Sequence, residues 1–217
     1  MRRFLSCAFA ATLAALVLPF PVGDATAAPY PPLFGTREVR STGVDTFKKW
    51  SGTLARYFDE SHLAEGPCTA TKFNACHLRE WQGVLDGLRD KPPMTQLGAI
   101  NAYLNRRRYV VDPVNWGRDD YWATPAQFFR KNGDCEDYAI AKFLSLRALG
   151  YANDDLRVVV LQDLNLGIPH AVLVVYLLGH AFVLDNQIAV VMAAERIRHY
   201  RPLYSLNETH WWLHKDG

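Results

Sequence analysis

A thiol with the means to attack is the first chemical feature of the sequence. Cys135 stands in Gly133-Asp134-Cys135-Glu136-Asp137-Tyr138-Ala139-Ile140-Ala141-Lys142. Asn132-Gly133 closes one element, Asp134 is suited to N-cap the next, and helix formers then run to Leu149 before Gly150 stops them. Cys135 therefore falls in the first turn of a helix, where unpaired N–H groups and the helix dipole favour the thiolate. The plainer alternative is a small buried cysteine without chemistry. A cysteine nucleophile also needs a base, and the base needs an acceptor to orient it.

Seven histidines compete for the role of base. His62, His77, His180, His199, His210 and His214 lie in polar or terminal contexts, whereas His170 opens the apolar strand Pro169–Val175. If Leu173–Leu177 and Ala181–Asp185 pair as a hairpin turning near Leu178-Gly179, residue 170 falls opposite about residue 187. Asp185 is then a diagonal neighbour of His170 on the same face, and a turn one residue earlier would set it directly opposite. Either register lets the carboxylate reach the imidazole. Cys135, His170 and Asp185 are the candidate catalytic residues.

The surroundings of Cys135 are electrostatically odd. Asp134, Glu136 and Asp137 crowd it with carboxylates, and like charge beside a thiol opposes its ionisation. A bound Ca²⁺, which takes about six to eight oxygen ligands, would cancel much of that charge. With no EF-hand spacing present, an N-cap and two dipole-compensating acids remain the competing account.

Helices come first among the elements that must carry these groups. Asp45–Asp59, Phe73–Leu88 and Met94–Arg107 show apolar residues at helical spacing, and Thr124-Pro125 opens a short helix with a Thr cap and Pro at its first position. Between them, Tyr109–Trp122 reads as a polar and aromatic loop. After the Cys135 helix the apolar period falls to two. Arg157–Gln162, Pro169–Leu177, Ala181–Asp185, Tyr200–Leu206 and His210–His214 read as strands. Helices followed by an antiparallel sheet make the fold class α+β.

The chain of 217 residues begins with an export signal over residues 1–27: Arg2-Arg3, the apolar run Phe4–Leu18, and Ala25-Thr26-Ala27 as cleavage site. An extended arm is expected over 28–44 and one domain over 45–217. No later segment is apolar for the ~18–20 residues needed to span a bilayer, so no membrane insertion is expected of the mature chain. A net charge of +2, without a basic stripe interleaved with aromatics, excludes nucleic acid as the expected partner. Cys7 leaves with the signal. Cys68 and Cys76, close together across a polar loop, are the natural disulfide pair, and Cys135 is left as the free thiol. Without CxxC spacing a zinc site is not expected.

Taken together, Gly133–Lys142, the Gly167-Ile168-Pro169-His170-Ala171-Val172-Leu173 segment and Val183-Leu184-Asp185-Asn186-Gln187 resemble the bacterial transglutaminase-like cysteine proteinases. Within them the resemblance is to the periplasmic adhesin-protease type. Asn115-Trp116-Gly117 and Asp120–Pro125 fit the same pattern, which covers about Phe47–His214. The resemblance implies a papain-like, transglutaminase-like fold with Cys135 as nucleophile, His170 as general base and acid, and Asp185 as orienter. It implies a calcium-dependent periplasmic endopeptidase that cuts a large surface adhesin near its N-terminus after a paired alanine, releasing cells from biofilm. An inner-membrane cyclic di-GMP receptor that sequesters the enzyme is the implied partner. It places calcium on Asp134 and Glu136, with Asp137 and carbonyls of the Asn115–Asp120 loop as further ligands. Acyl transfer to an amine by the same triad, and a non-catalytic binding module, are the alternatives.

Overall fold

The computed structural model describes residues 30–60, 62–70 and 72–216. The export signal expected over 1–27 lies outside the described residues. Two α-helices, α1 (Lys48–Glu60) and α2 (Cys76–Leu88), are followed by α3 (Pro93–Asn105), the single turn α4 (Asp112–Asn115), α5 (Pro125–Lys131) and α6 (Cys135–Ala148). Six of the seven strands among the described residues follow the helices: β2 (Leu156–Asp163), β3 (Ile168–Leu177), β4 (His180–Leu184), β5 (Met192–Ala193), β6 (Tyr200–Leu206) and β7 (Trp211–Lys215). The seventh precedes the helices, since β1 (Arg37–Ser41) forms within the stretch read as an arm over 28–44.

These strands form one antiparallel sheet in the order β1-β7-β6-β2-β3-β4-β5. The arm was expected to be extended, and its Arg37–Ser41 segment is extended because it pairs with Ser41↔Trp211 through Arg37↔Lys215 at the sheet edge. Nothing local in Arg-Glu-Val-Arg-Ser announces this, because its partner lies at the far end of the chain. In the Tyr109–Trp122 loop, α4 is the second departure: Val111 is extended and Pro113 sits in the first turn, a combination that starts a helix as readily as it makes a bend.

Helix α6 is the centre of the molecule. Its residues from Asp137 to Ser145 are buried, so it shows no polar face. One side packs with α3 and α5, and the other packs on β2 and β3. Ile140, Phe143, Leu144 and Leu146 share one core with Trp50, Trp81, Leu97, Ile100, Phe128, Leu173 and Val175. A second core lies under the opposite sheet face, where Val159, Leu161, Val172 and Val174 meet Leu33, Ile197 and Tyr200. Burial on both faces explains why β2 and β3 read as nearly continuous apolar runs.

Two local devices set the positions that matter for chemistry. Thr124 caps α5 through its hydroxyl, which accepts from the Gln127 N–H at 3.2 Å, and Gln127 returns the bond to the Thr124 N–H at 3.0 Å. The β3–β4 hairpin turns on Leu178 and Gly179, both at positive φ (52° and 80°), as a two-residue turn requires when it must match strand twist. Leu178 adopts this strained conformation at the surface, 89% exposed.

Candidate active site

The hairpin turn determines where Asp185 goes. Leu177 pairs with His180 and Leu173 with Leu184, so the same register sets Val172 across from Asp185 and His170 across from Gln187. His170 and Asp185 thus share a strand face as diagonal neighbours. His170 Nε2 and Asp185 Oδ1 are 3.0 Å apart, and both side chains are buried. Nε2 is therefore spent on the carboxylate, and Nδ1 is the nitrogen left for proton transfer. The amide of Gln187 approaches that Nδ1 at 3.5 Å.

Asp185 is held by more than its histidine. Its Oδ2 accepts from the Tyr200 hydroxyl at 2.5 Å, and Oδ1 also accepts from the Gln187 N–H at 2.8 Å. Burial alone would raise its pKa, but the His170 bond and charge, then the Tyr200 and Gln187 bonds, overcome this and keep the carboxyl below its ordinary range. Tyr200 comes from β6, three places from β4 in the sheet. Sequence reading saw it only as the start of a strand, since no spacing links position 200 to position 185.

Cys135 is free and partly exposed, as the odd cysteine count requires. Cys68 and Cys76 are bridged, their Cα atoms 5.1 Å apart. Helix α6 packs on β3, the strand that carries His170 near its start. Cys135 opens α6, and it and His170 are 35 positions apart in sequence.

The acids beside Cys135 act against it. Burial pushes the Cys135 thiol well up, and the Glu136 charge, its 3.2 Å contact with the sulfur and the Asp134 charge push it further. The helix-start argument for a readily ionised thiol is thus outweighed by burial and local carboxylates. The carboxylates raise one another as well: Asp112 is pushed up to about 6 and Asp134 to about 7, in both cases first by burial, and burial also raises Glu136 and Asp137.

Such a cluster fits a hard cation. Oxygens of Asp112, Asp120 and Glu136 lie within 4.8 Å of one another, and so do those of Asp112, Asp134 and Asp137. Asp112 Oδ1 and Asp134 Oδ1 are buried without a hydrogen-bond partner among the described residues, a costly state for a carboxylate oxygen. Lys49 reaches Asp120 only at the exposed rim. Asp137 is mainly a brace: its oxygens accept from the Ala123 N–H at 2.6 Å and the Asp134 N–H at 3.3 Å. It also forces the glycine before Asp134, because a Cβ on Gly133 would lie 2.6 Å from the Asp137 Cβ.

Beside the acids, Asn115 is held by two hydrogen bonds: its amide donates to the Asn132 carbonyl at 3.1 Å, and its own carbonyl accepts from the Lys131 ammonium at 3.1 Å. Asp112 was missed, because an Asp before a Pro reads as a turn former. It is brought in by α4, where the Asp112 N–H donates to Asp134 Oδ2 at 3.2 Å and its carboxylate accepts from the Tyr121 N–H. Asp120, foreseen only as the end of a carbonyl-bearing loop, enters through its side chain.

Residues 68–214 match the bacterial transglutaminase-like cysteine proteinases, BTLCP, across a span that includes α6, β3 and β4. The chain belongs to this family. Comparison with curated proteins gives no match. Among solved structures, LapG of Legionella pneumophila is 33% identical with a TM-score of 0.58, over 64% of this chain and 78% of that one. Its calcium-bound form is 32% identical, TM-score 0.60, over 67% and 82%, and the EGTA-treated form is 34% identical, TM-score 0.59, over 64% and 77%. The α+β transglutaminase-like fold of this cysteine protease family is therefore that of the chain.

Proposed function

We propose that the chain is a calcium-dependent, LapG-type cysteine endopeptidase in which Cys135 is the nucleophile, His170 the general base and acid, and Asp185 its orienter. The buried His170–Asp185 bond, on the strand against which the Cys135 helix packs, carries this reading. With Nε2 donating its proton to Asp185, Nδ1 keeps the lone pair that takes the proton of Cys135. The thiolate then adds to the scissile carbonyl carbon. Collapse of the adduct expels the amine, which takes the proton from His170, and water activated by the same Nδ1 releases the acyl group.

Asp112, Asp120, Asp134 and Glu136 would hold the calcium, with Asp137 bracing them. When bound, the ion supplies positive charge that offsets the acids around the thiol. The calcium-bound relative and the orphaned oxygens of Asp112 and Asp134 support this assignment.

The substrate we propose is a large surface adhesin, cut near its N-terminus after a paired alanine so that cells leave a biofilm. The place is the periplasm after removal of residues 1–27, and the partner an inner-membrane cyclic di-GMP receptor that sequesters the enzyme. The family resemblance supports these three assignments. Among the described residues no helix is long and apolar enough to cross a membrane. The test is incubation of the mature chain with Ca²⁺ and an adhesin N-terminal fragment carrying Ala-Ala, read by mass spectrometry. A new N-terminus after the second alanine, absent with Cys135→Ala, is the expected result. An isopeptide product would replace hydrolysis by acyl transfer, and no reaction with either would sink the enzyme reading.

A further inference from the structure

Tyr200 serves Asp185 only while its ring is held, since a tyrosine has three staggered rotamers and one of them directs the hydroxyl at a given acceptor. Three rings surround it. The His170 ring lies 5.8 Å away, centroid to centroid, at 59°, and the His199 ring lies edge-on at 4.6 Å and 64°. The third, edge-on at 5.8 Å and 74°, is that of Phe34 from the N-terminal arm. Phe34 and Tyr200 also share the wall of a cavity of about 390 Å³, lined further by Pro32, Glu195 and Arg198. The tyrosine therefore has open space beside it, and Phe34 is what bounds its ring on the side of the arm.

Phe34 keeps this place against its backbone preference. It lies at φ 50° and ψ 32° inside the 3₁₀ turn Leu33–Gly35, the left-handed region in which a Cβ is crowded. Two other non-glycine residues among those described have positive φ. Asn132 is of a type suited to it, and Leu178 lies in the β3–β4 turn, which demands it. Phe34 has neither reason, and glycine would make the same turn without strain. The turn is fastened on both sides. Leu33 is buried in the second core, its N–H donates to Glu38 Oε1 at 3.2 Å, and its carbonyl accepts from the Thr36 N–H and hydroxyl at 3.0 and 2.8 Å. A strained residue fixed by its frame points to a use for its side chain.

We propose that Phe34 is a positioning residue for the reaction: the arm sets its ring against Tyr200 and so keeps the phenol on Asp185 and the carboxylate on His170. The inference rests on His170 and Asp185 serving Cys135 as proposed above. The links are continuous, from the 5.8 Å ring contact through the 2.5 Å Tyr200–Asp185 bond to the 3.0 Å Asp185–His170 bond. The stretch before the first helix thereby acts on the base from outside the active site.

Three substitutions in the Ca²⁺-loaded mature protein, assayed on the Ala-Ala adhesin fragment, separate this role from a structural one. Phe34→Gly removes the ring and relieves the backbone, Phe34→Ala removes the ring and keeps the strain, and Phe34→Tyr keeps the ring. The glycine variant should therefore melt at a higher temperature than the alanine variant. Even so, kcat should fall alike in both, by about threefold to tenfold, the upper end being the loss of one hydrogen bond to a charge. KM should stay within about twofold of the parent, and the acid limb of kcat/KM should move upward in pH as in Tyr200→Phe. Phe34→Tyr should stay within about twofold of the parent kcat. Phe34→Gly combined with Tyr200→Phe should cost no more than Tyr200→Phe alone, because the ring acts through the hydroxyl. Activity that follows melting temperature, with the glycine variant near the parent and the alanine variant impaired, overturns the proposal and leaves Phe34 a role in folding only. Multiplying losses in the double variant overturn it too. A parent protein that does not cleave would instead remove the triad reading on which it rests.

Discussion

Asp185 Oδ2 accepts the hydroxyl of Tyr200 at 2.5 Å while Oδ1 holds His170 Nε2 at 3.0 Å, so a residue of β6 orients the carboxylate that holds the proposed base. Three donors converge on one buried carboxylate, a surround that keeps it ionised and the imidazole in a single tautomer.

Removing parts of this chain should have graded effects. His170→Ala should lose about as much activity as Cys135→Ala, since neither half of the pair works alone. Asp185→Asn should lower kcat by about 10³–10⁴ and leave a residual rate, because it upsets tautomer and orientation without deleting the base. Tyr200→Phe should cost on the order of tenfold, the scale of one hydrogen bond to a charge. The Tyr200 bond lowers the Asp185 pKa, so its loss should move the acid limb of kcat/KM upward in pH. A profile unmoved in Tyr200→Phe would reduce that tyrosine to packing.

The acidic cluster distinguishes Asp112 from Asn115. Chelation should stop cleavage and lower the melting temperature together, since an ion bound only by the folded chain stabilises it by mass action. Ca²⁺ should restore both, and Mg²⁺ poorly, because it demands tighter octahedral geometry. Asp112→Asn should weaken Ca²⁺ at least about tenfold by calorimetry, as one charged oxygen ligand is lost. Asn115→Ala should leave the affinity unchanged. The reverse order for these two variants would place the ion elsewhere in the loop.

His214 supplies a pH dependence remote from the site. Its ring is wedged between hydroxyls, Thr36 Oγ1 at 3.0 Å from Nδ1 and Ser205 Oγ at 2.9 Å from Nε2. Burial lowers its pKa to about 4, against the opposing pull of Glu38. The unfolded chain therefore binds the proton first, near pH 6.5. The contribution to stability is complete above that value, declines as pH falls toward 4, and amounts to at most about 3 kcal/mol. His214→Gln, which can still bond both hydroxyls, should flatten the difference in urea unfolding free energy between pH 7 and pH 4.5. An equal difference in both proteins would mean that other groups set the acid sensitivity.

Much of the site was legible because it is built from local rules. Asp134 before a run of helix formers places Cys135 in a first turn. Leu178-Gly179 between two apolar runs sets a two-residue hairpin, and strand alternation then delivers Asp185 to the face of His170. The odd count of mature cysteines singled out Cys135. Periods of 3.6 and 2 separated helices from strands because each is a property of a short continuous segment. None of this depends on what lies across the molecule.

Tertiary structure alone decided which distant groups converge. Asp112 and Asp120 enter through a loop with no periodic pattern, Tyr200 arrives from a strand three places away from β4, and Tyr109 is bridged to Gly133. Arg37–Ser41 becomes a strand only because β7 offers it an edge. The charge state of the thiol belongs here as well. A helix start favours the thiolate, but the depth of burial and the number of carboxylates around it reverse the balance. Dihedral preferences and side-chain periodicity act over a few residues, whereas desolvation and charge depend on every group that the completed fold brings within a few ångströms.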